Sequence, residues 1–140
     1  MVLLDTNVIF ELMRAEPAQI VADWFGHQRA ADLFVSAITE AELRTGVAIL
    51  PEGQRRDRLQ LAIDAMIDQD FQGRVLPFDS LTAKAYAEIA AQRRAAGRPI
   101  AEADCQIAAI ARASDAPIAT RNVKDFDGCG VAVINPWADA

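Results

Sequence analysis

Asp5 is the first residue of the sequence whose position suggests chemistry. It follows the apolar run at residues 1–4 and precedes two small polar residues, Thr6 and Asn7. An apolar run without alternation is typical of a strand covered on both faces in a parallel sheet, and such sheets bind ligands beyond the carboxyl ends of their strands. The alternative is that Asp5, Thr6 or Asn7 only caps a helix that begins near Val8, because all three residue types accept hydrogen bonds from free N–H groups at a helix start.

Glu42 is a second candidate, early in the helix that follows the second predicted strand. Thr39 and Glu42 also have the spacing of a capping box, in which Glu42 would only accept a hydrogen bond from the Thr39 backbone. Both interpretations stay open at this point. We expect the neighbouring acid, Glu40, to face solvent.

Asp104 is harder to explain as a purely structural residue. Three apolar residues follow it at helical spacing and place its carboxylate on the core-facing side of the helix: Ile107, Ala108 and Ala111. An unpaired buried carboxylate is costly, so a cation, a basic partner or a raised pKa must offset that cost. Glu102 points to a different face of the helix and cannot help.

Thr120, Asn122 and Asp125 form a third polar group, directly after the fourth predicted strand. Asn122 could simply cap a short helix, and Asp125 could be a solvated surface acid. If these residues meet Asp5, Glu42 and Asp104 at one sheet edge, they form an oxygen-only ligand set that suits Mg²⁺ or Mn²⁺ and not zinc. Such a cation activates water and neutralises charge on a phosphodiester, which predicts phosphoryl transfer to water.

Five predicted strands, alternating with helices, would position these residues. The strands are expected at residues 1–5, 31–36, 74–79, 116–120 and 131–134, and the longer helices at 54–71, 79–97 and 100–114. Pro77 confines the third strand to an edge or a terminus. This order implies right-handed crossovers and a three-layer α/β/α sandwich with a five-stranded parallel sheet of Rossmann-like topology. At 140 residues, a single domain covering residues 1–140 is expected.

The composition excludes several classes of protein. A net charge of -6 argues against a general nucleic-acid coat protein. The clustered arginines are expected to lie on solvated helix faces; they are Arg55, Arg56 and Arg58 in one group and Arg93, Arg94 and Arg98 in another. Cys105 and Cys129 lack the spacing of a zinc or redox site and are expected to be buried free thiols. Asp5 interrupts any signal-peptide core, and no apolar stretch approaches the ~20 residues that span a bilayer, so we expect a cytoplasmic protein without a membrane partner.

The sequence resembles the PIN-domain endoribonucleases of the VapC type, which are the toxins of bacterial toxin–antitoxin pairs. The order and spacing of six segments carry the resemblance: LLDTNVI at residues 3–9, SAITEAEL at 36–43 with Gly46 after it, PFD at 77–79, IAEADCQIAA at 100–109, ATRNVKDF at 119–126 and VINPW at 133–137. The closing Asn-Pro-Trp is most similar to the FitB subgroup.

This resemblance implies hydrolysis of RNA that depends on Mg²⁺ or Mn²⁺, with Asp5, Glu42 and Asp104 as the acidic core. Thr6 and Thr120 would orient a ligand or a water molecule. Asn7 and Arg121 would lie beside the acids or contact the substrate. Some relatives carry aspartate where this chain has Asn122, which would hold a second metal more weakly unless Asp125 supplies the missing carboxylate.

The resemblance also implies partners. We expect a homodimer that forms a larger complex with a small DNA-binding antitoxin. The antitoxin tail would lie in a groove formed by the first helices and the Glu42 helix, where the sequence offers four apolar residues: Trp24, Phe25, Leu43 and Val47. Tails of this kind commonly offer an arginine to the acidic pocket, which carboxylates attract.

Three other functions compete with this interpretation. A haloacid-dehalogenase-like phosphatase needs a second aspartate at the place that Asn7 occupies, and a dinucleotide-binding domain needs a glycine-rich turn after the first strand, which is absent. The serious rival is a catalytically inactive PIN-like module that binds RNA or a partner protein. The presence of Asp5, Glu42 and Asp104 argues against it.

Overall fold

A parallel five-stranded sheet lies at the centre of the computed structural model, which describes residues 1–138. The strands are β1 (Val2–Leu4), β2 (Leu33–Ser36), β3 (Val75–Leu76), β4 (Ile118–Ala119) and β5 (Val133–Ile134). Their spatial order is β3-β2-β1-β4-β5, and every pairing is parallel. The predicted α/β/α fold is confirmed, and β3 is an edge strand, as Pro77 indicated.

Within residues 1–138, six α-helices connect and cover the strands. They are α1 (Thr6–Leu12), α2 (Gln19–Gly26), α3 (Ala37–Ala48), α4 (Gln54–Ala65), α5 (Ser80–Ala95) and α6 (Glu102–Ala113). Short 3₁₀ turns at Ala30–Asp32 and Val123–Phe126 precede β2 and follow β4. Among the helices of residues 1–138, none combines the length and the apolar composition that spanning a bilayer requires.

Two hydrophobic clusters, one on each face of the sheet, explain the apolar run at the start of the chain. Successive side chains of a strand point to opposite faces. Leu3 accordingly packs in one cluster with Ile118 and α6, and Leu4 packs in the other with Val35 and α1. Both leucines are fully buried, as the absence of alternation predicted.

Several element boundaries differ from the predicted ones. Helix α1 begins at Thr6 instead of Val8, because the Asp5 side chain accepts a hydrogen bond from the Thr6 N–H. The predicted helix at 54–71 changes after Ala65 into a π-helical segment, Met66–Asp70. Asp79 caps α5 as predicted, in a reciprocal capping box with Thr82.

The predicted burial is confirmed for the cysteines but not for all of the arginines. Cys105 and Cys129 are buried free thiols, as expected. Arg94 and Arg98 are exposed, but Arg93 is only 7% exposed, so the prediction of a solvated face for all three was wrong. Its helix position faces the returning loop after β4, and that loop could not be placed from the sequence.

Candidate active site

The adjacency of β1 and β4 brings Asp5 and Thr120 together at the carboxyl edge of the sheet. Leu4 pairs with Ala119, and the Asp5 N–H donates to the Ala119 carbonyl at 2.9 Å. Asp5 and Thr120 are the residues that directly follow these two strands. The Thr120 hydroxyl donates to Asp5 Oδ2 at 2.7 Å. Both residues are buried. A sequence-distant pair thus becomes a direct contact.

The Asp5 carboxylate has two roles in this structure. Its Oδ1 accepts from the Thr6 N–H at 2.8 Å and caps α1, while Oδ2 accepts from Thr120 and from Asn7 Nδ2 at 3.2 Å. The alternative that Asp5 only caps a helix is therefore wrong. Burial raises the pKa of the Asp5 carboxyl, and the hydrogen bonds from Thr120 and Thr6 oppose that rise.

Glu42 reaches the same edge from α3. Its Oε1 accepts a hydrogen bond from the Thr6 hydroxyl at 2.8 Å. The capping-box alternative with Thr39 is wrong, because Ser36 is the N-cap of α3 and accepts from the Thr39 N–H. Glu40 does not simply face solvent either, since it is half-buried and pairs with Arg44 at 2.7 Å. Glu42 is thus directed to the strand ends by a contact between α1 and α3.

Asp104 lies in the first turn of α6, half-buried, and its carboxylate accepts no hydrogen bond from residues 1–138. Burial is the main cause that raises its pKa from 3.8 to about 6. Repulsion from three other carboxylates adds to the rise; in decreasing order they are Asp5, Asp125 and Glu42. Glu102, in the same turn, is exposed, as predicted.

Asn122 and Asp125 follow β4 in the segment that leads into the 3₁₀ turn. Asn122 is the N-cap residue of this 3₁₀ turn, as the capping alternative predicted, but its side chain makes no capping hydrogen bond. Its N–H donates to the Thr120 hydroxyl at 3.0 Å. Asp125 is exposed, as a surface acid would be. Its charge nevertheless acts on both Asp5 and Asp104, raising the pKa of each, so it faces the acidic cluster.

Arg121 lies at the rim of this cluster. Its N–H donates to Asn7 Oδ1 at 3.2 Å, which ties the backbone after β4 to the start of α1. Its guanidinium carbon lies 5.2 Å from the centre of the Trp137 ring, a cation–π contact that restricts the otherwise flexible side chain. The exposed Arg121 side chain is thus held beside the acidic cluster, and it forms no ion pair with these acids.

The acids are close enough to repel one another, but they are not gathered as ligands. Within residues 1–138, no three side chains of the His, Cys, Asp or Glu type are placed so that they could hold a metal ion. The chemistry of the donor set still fits a hard divalent cation: all donors are oxygens, and after burial, repulsion from neighbouring carboxylates adds to the raised pKa of both Asp5 and Asp104. A cation would offset this repulsion.

Thr39 is a site residue that the sequence suggested only as a cap. It is fully buried, and its hydroxyl lies 2.9 Å from the Thr6 hydroxyl, which in turn donates to Glu42. Ser36 donates to Thr39 at 3.3 Å and completes the chain. The sequence did offer one signal. Ser36 lies at the end of a predicted strand and is therefore a better N-cap than Thr39, so Thr39 was not needed as a cap.

Comparisons with known proteins show which proteins this chain is similar to. A family model described as "PIN domain" matches residues 2–128. The VapC ribonuclease Y4jK of Sinorhizobium fredii is 44% identical over 140 residues, covering 100% of both chains. Toxin FitB of Neisseria gonorrhoeae is 43% identical over 139 residues, covering 99% of this chain and 100% of the relative. A solved structure of FitAB bound to a DNA fragment matches with a TM-score of 0.95 and 41% identity, covering 100% of this chain and 98% of that chain.

Proposed function

This chain belongs to the PIN domain family, and from that premise we propose that it is a metal-dependent endoribonuclease that acts as the toxin of a VapBC-type toxin–antitoxin pair. The observation that carries the proposal is the acidic cluster at the carboxyl edge of the sheet. Asp104 in particular has no protein group within residues 1–138 that donates a hydrogen bond to its carboxylate, and its pKa is raised to about 6. Such an arrangement is costly for folding and is common at functional sites.

Asp5, Glu42 and Asp104 are the residues that we propose as metal ligands. Mg²⁺ or Mn²⁺ at this position would lower the pKa of a bound water and neutralise charge on the scissile phosphodiester. The Thr120 hydroxyl fixes the orientation of Asp5, and the Thr6 hydroxyl fixes that of Glu42. Both threonines hold a carboxylate in place by donating a hydrogen bond to it, and the hydrogen bond from Thr120 also opposes the rise in the pKa of Asp5.

Asn122 and Asp125 are proposed as the outer part of the same site. Asn122 offers a neutral amide oxygen and Asp125 offers a carboxylate, so any second cation would depend chiefly on Asp125. Asn7 connects the two strand ends by donating to Asp5 Oδ2 and, at 3.2 Å, to the Thr120 hydroxyl.

Arg121 is proposed to contact the RNA backbone. A chain with a net charge of -6 repels RNA as a whole, so a cation at the rim of the acidic cluster is needed to hold a phosphate near it. The stacking on Trp137 limits the conformations of the guanidinium before RNA binds. An arginine held in this way loses less conformational freedom on binding.

The antitoxin is proposed to cover two apolar cavities on either side of α1. The larger one has a volume of about 680 Å³ and includes Ile9, Phe25 and Met66 in its lining. The smaller one has a volume of about 300 Å³ and includes Phe10, Leu43 and Val47. An amphipathic segment of the antitoxin fits such grooves through its apolar side chains.

Assembly and location complete the proposal. We propose that the toxin forms a homodimer in the cytoplasm, where its RNA substrate and its DNA-binding antitoxin are found. The start of α5 offers an apolar surface for self-association, since Phe78 is 37% exposed and Leu81 is 62% exposed.

The proposal is tested by incubating the purified protein, freed of its antitoxin, with total RNA in Mg²⁺, in Mn²⁺ and in excess EDTA. We expect discrete cleavage products with either cation and intact RNA in EDTA. Cleavage that persists in EDTA would refute the metal-dependent chemistry. Intact RNA under every condition, with a folded protein that still retains RNA on a filter, would favour the inactive binding module.

A further inference from the structure

Arg93, near the end of α5, is a buried cation that forms no ion pair within residues 1–138, although its charge lowers the pKa of the Asp104 carboxyl. It is 7% exposed, and the ion pairs within residues 1–138 do not include it. Burying a guanidinium is costly unless its N–H groups find acceptors. An arginine in this position therefore needs a structural or functional reason.

The acceptors of Arg93 are mainly backbone carbonyls of one loop. Its Nη1 donates to the carbonyls of Asp125 and Asp127, both at 2.9 Å, and lies 3.6 Å from the Cys129 sulfur. Its Nε donates to the Arg98 carbonyl at 2.7 Å. One side chain thus fastens the segment after β4 to the end of α5.

The stem of the side chain lies close to the same loop. A Cβ atom added to Gly128 would stand 3.6 Å from Arg93 Cδ, so the backbone passes directly over the arginine. Gly128 has a φ of +74°, which favours glycine and allows the turn. The contact is therefore specific to this loop conformation.

The fastened loop continues without interruption into the acidic cluster. The Asp125 N–H donates to the Asn122 carbonyl at 3.0 Å, and the Asn122 N–H donates to the Thr120 hydroxyl at 3.0 Å. That hydroxyl donates to Asp5. A displacement of the loop would consequently move Asp125 relative to the other carboxylates.

We propose that Arg93 is a positioning residue, which clamps the carbonyls of Asp125 and Asp127 and so holds the Asp125 carboxylate in the acidic cluster. This inference rests on the proposed function for its catalytic consequence, although the clamp itself does not. Arginine suits the task because its planar group offers donors in several fixed directions, so it can satisfy carbonyls of two different segments at once.

The first test measures hydrogen exchange of the loop in metal-free protein. Arg93→Met keeps the length of the stem and removes the donors, and Arg94→Met, an exposed arginine of the same helical turn, is the matched control. The reporters are the N–H groups of Asp125, Asp127 and Cys129, which donate to carbonyls within the loop. We expect about 10-fold faster exchange in Arg93→Met, since charge-assisted hydrogen bonds are lost, and no change in the control.

The second test measures RNA cleavage. Because Arg93 is buried, we do not expect it to contact the substrate, and Arg93→Met should lower kcat by about 10-fold and leave KM within about 2-fold of the wild-type value. Arg93→Lys keeps a charge and three donors. The logarithm of its kcat should therefore lie at least halfway from the Arg93→Met value back to the wild-type value. If Arg93→Met does not fold, Arg93→Gln replaces it in both tests.

Two results would overturn the inference. One is loop exchange in Arg93→Met, or in the Arg93→Gln variant that replaces it, that equals the exchange in the Arg94→Met control. The other is a fall in activity that appears only as a raised KM. If the wild type cleaves no RNA, the proposed function fails, and the exchange measurement still decides whether Arg93 clamps the loop.

Discussion

Replacing Asp104 by asparagine should stabilise the metal-free protein at neutral pH and abolish its activity. The folded-state pKa of Asp104 is about 6, against 3.8 for an unperturbed aspartate. The folded protein therefore binds this proton more tightly than the unfolded chain does, and ionising Asp104 costs stability as pH rises from about 4 to about 6. Above that range the cost stays constant.

The magnitude follows from the size of the shift. About two pKa units correspond to about 3 kcal/mol, and solvent around the half-buried side chain reduces this to about 1–2 kcal/mol. Asparagine removes the charge, and it sacrifices no hydrogen bond because the Asp104 carboxylate accepts none from residues 1–138. For a chain of 140 residues, this stabilisation raises Tm by about 3–7 °C.

The assay is urea unfolding in EDTA, followed by tryptophan fluorescence from pH 4 to pH 7.5. The difference in the free energy of unfolding between Asp104→Asn and wild type should be near zero at pH 4 and should reach its maximum above pH 6.5. Glu102→Gln, an exposed residue of the same turn, is the control and should show no such gain. Equal or lower stability of Asp104→Asn at pH 7.5 would refute the electrostatic reasoning. Mg²⁺ should narrow the difference, because it binds and stabilises the wild type.

Three further substitutions test other contacts. Thr120→Val removes the hydroxyl that donates to Asp5, and this loss should raise the pKa of the Asp5 carboxyl further. We therefore expect kcat to fall about 10-fold and the acid limb of the pH–rate profile to move to higher pH. Arg121→Met should lower the slope of log K for RNA binding against log salt concentration by about one phosphate contact. Arg29→Met, before β2 at the opposite sheet edge, is the control and should leave the slope unchanged. Equal slopes for the two variants would exclude a contact between Arg121 and the RNA backbone. Asp79→Ala removes a capping box and should cost about 1 kcal/mol in the free energy of unfolding, with cleavage unchanged. A loss of cleavage in folded protein would show that the start of α5 acts on the site.

The strands and the candidate acids were predictable because each depends on a local pattern. The apolar run before Asp5 indicated a strand buried on both faces, and the apolar neighbours of Asp104 indicated a core-facing carboxylate. Both signals lie within a few residues of the feature they predict. The resemblance to the PIN family then ordered these residues into one site.

The contacts between segments were not predictable in the same way. The Thr6 hydroxyl bonds Glu42 across 36 positions of sequence, and a local capping pattern with Thr39 competed as an explanation. Arg93 was grouped with its exposed neighbour Arg94 because helical spacing does not reveal a loop that returns over 30 residues later. The order of strands, which brings Thr120 to Asp5, is likewise a property of the whole fold.

Cleavage of RNA by the Asp5→Asn protein is the most direct test of the proposed site. Asparagine preserves the shape of the side chain and one oxygen that can cap α1, so circular dichroism should show an intact fold. Asp57→Asn, on the exposed side of α4, serves as the matched control. We predict that Asp57→Asn cleaves RNA in Mg²⁺ at the wild-type rate and that Asp5→Asn leaves it intact. Wild-type cleavage by folded Asp5→Asn would contradict the assignment of the active site to the carboxyl edge of the sheet.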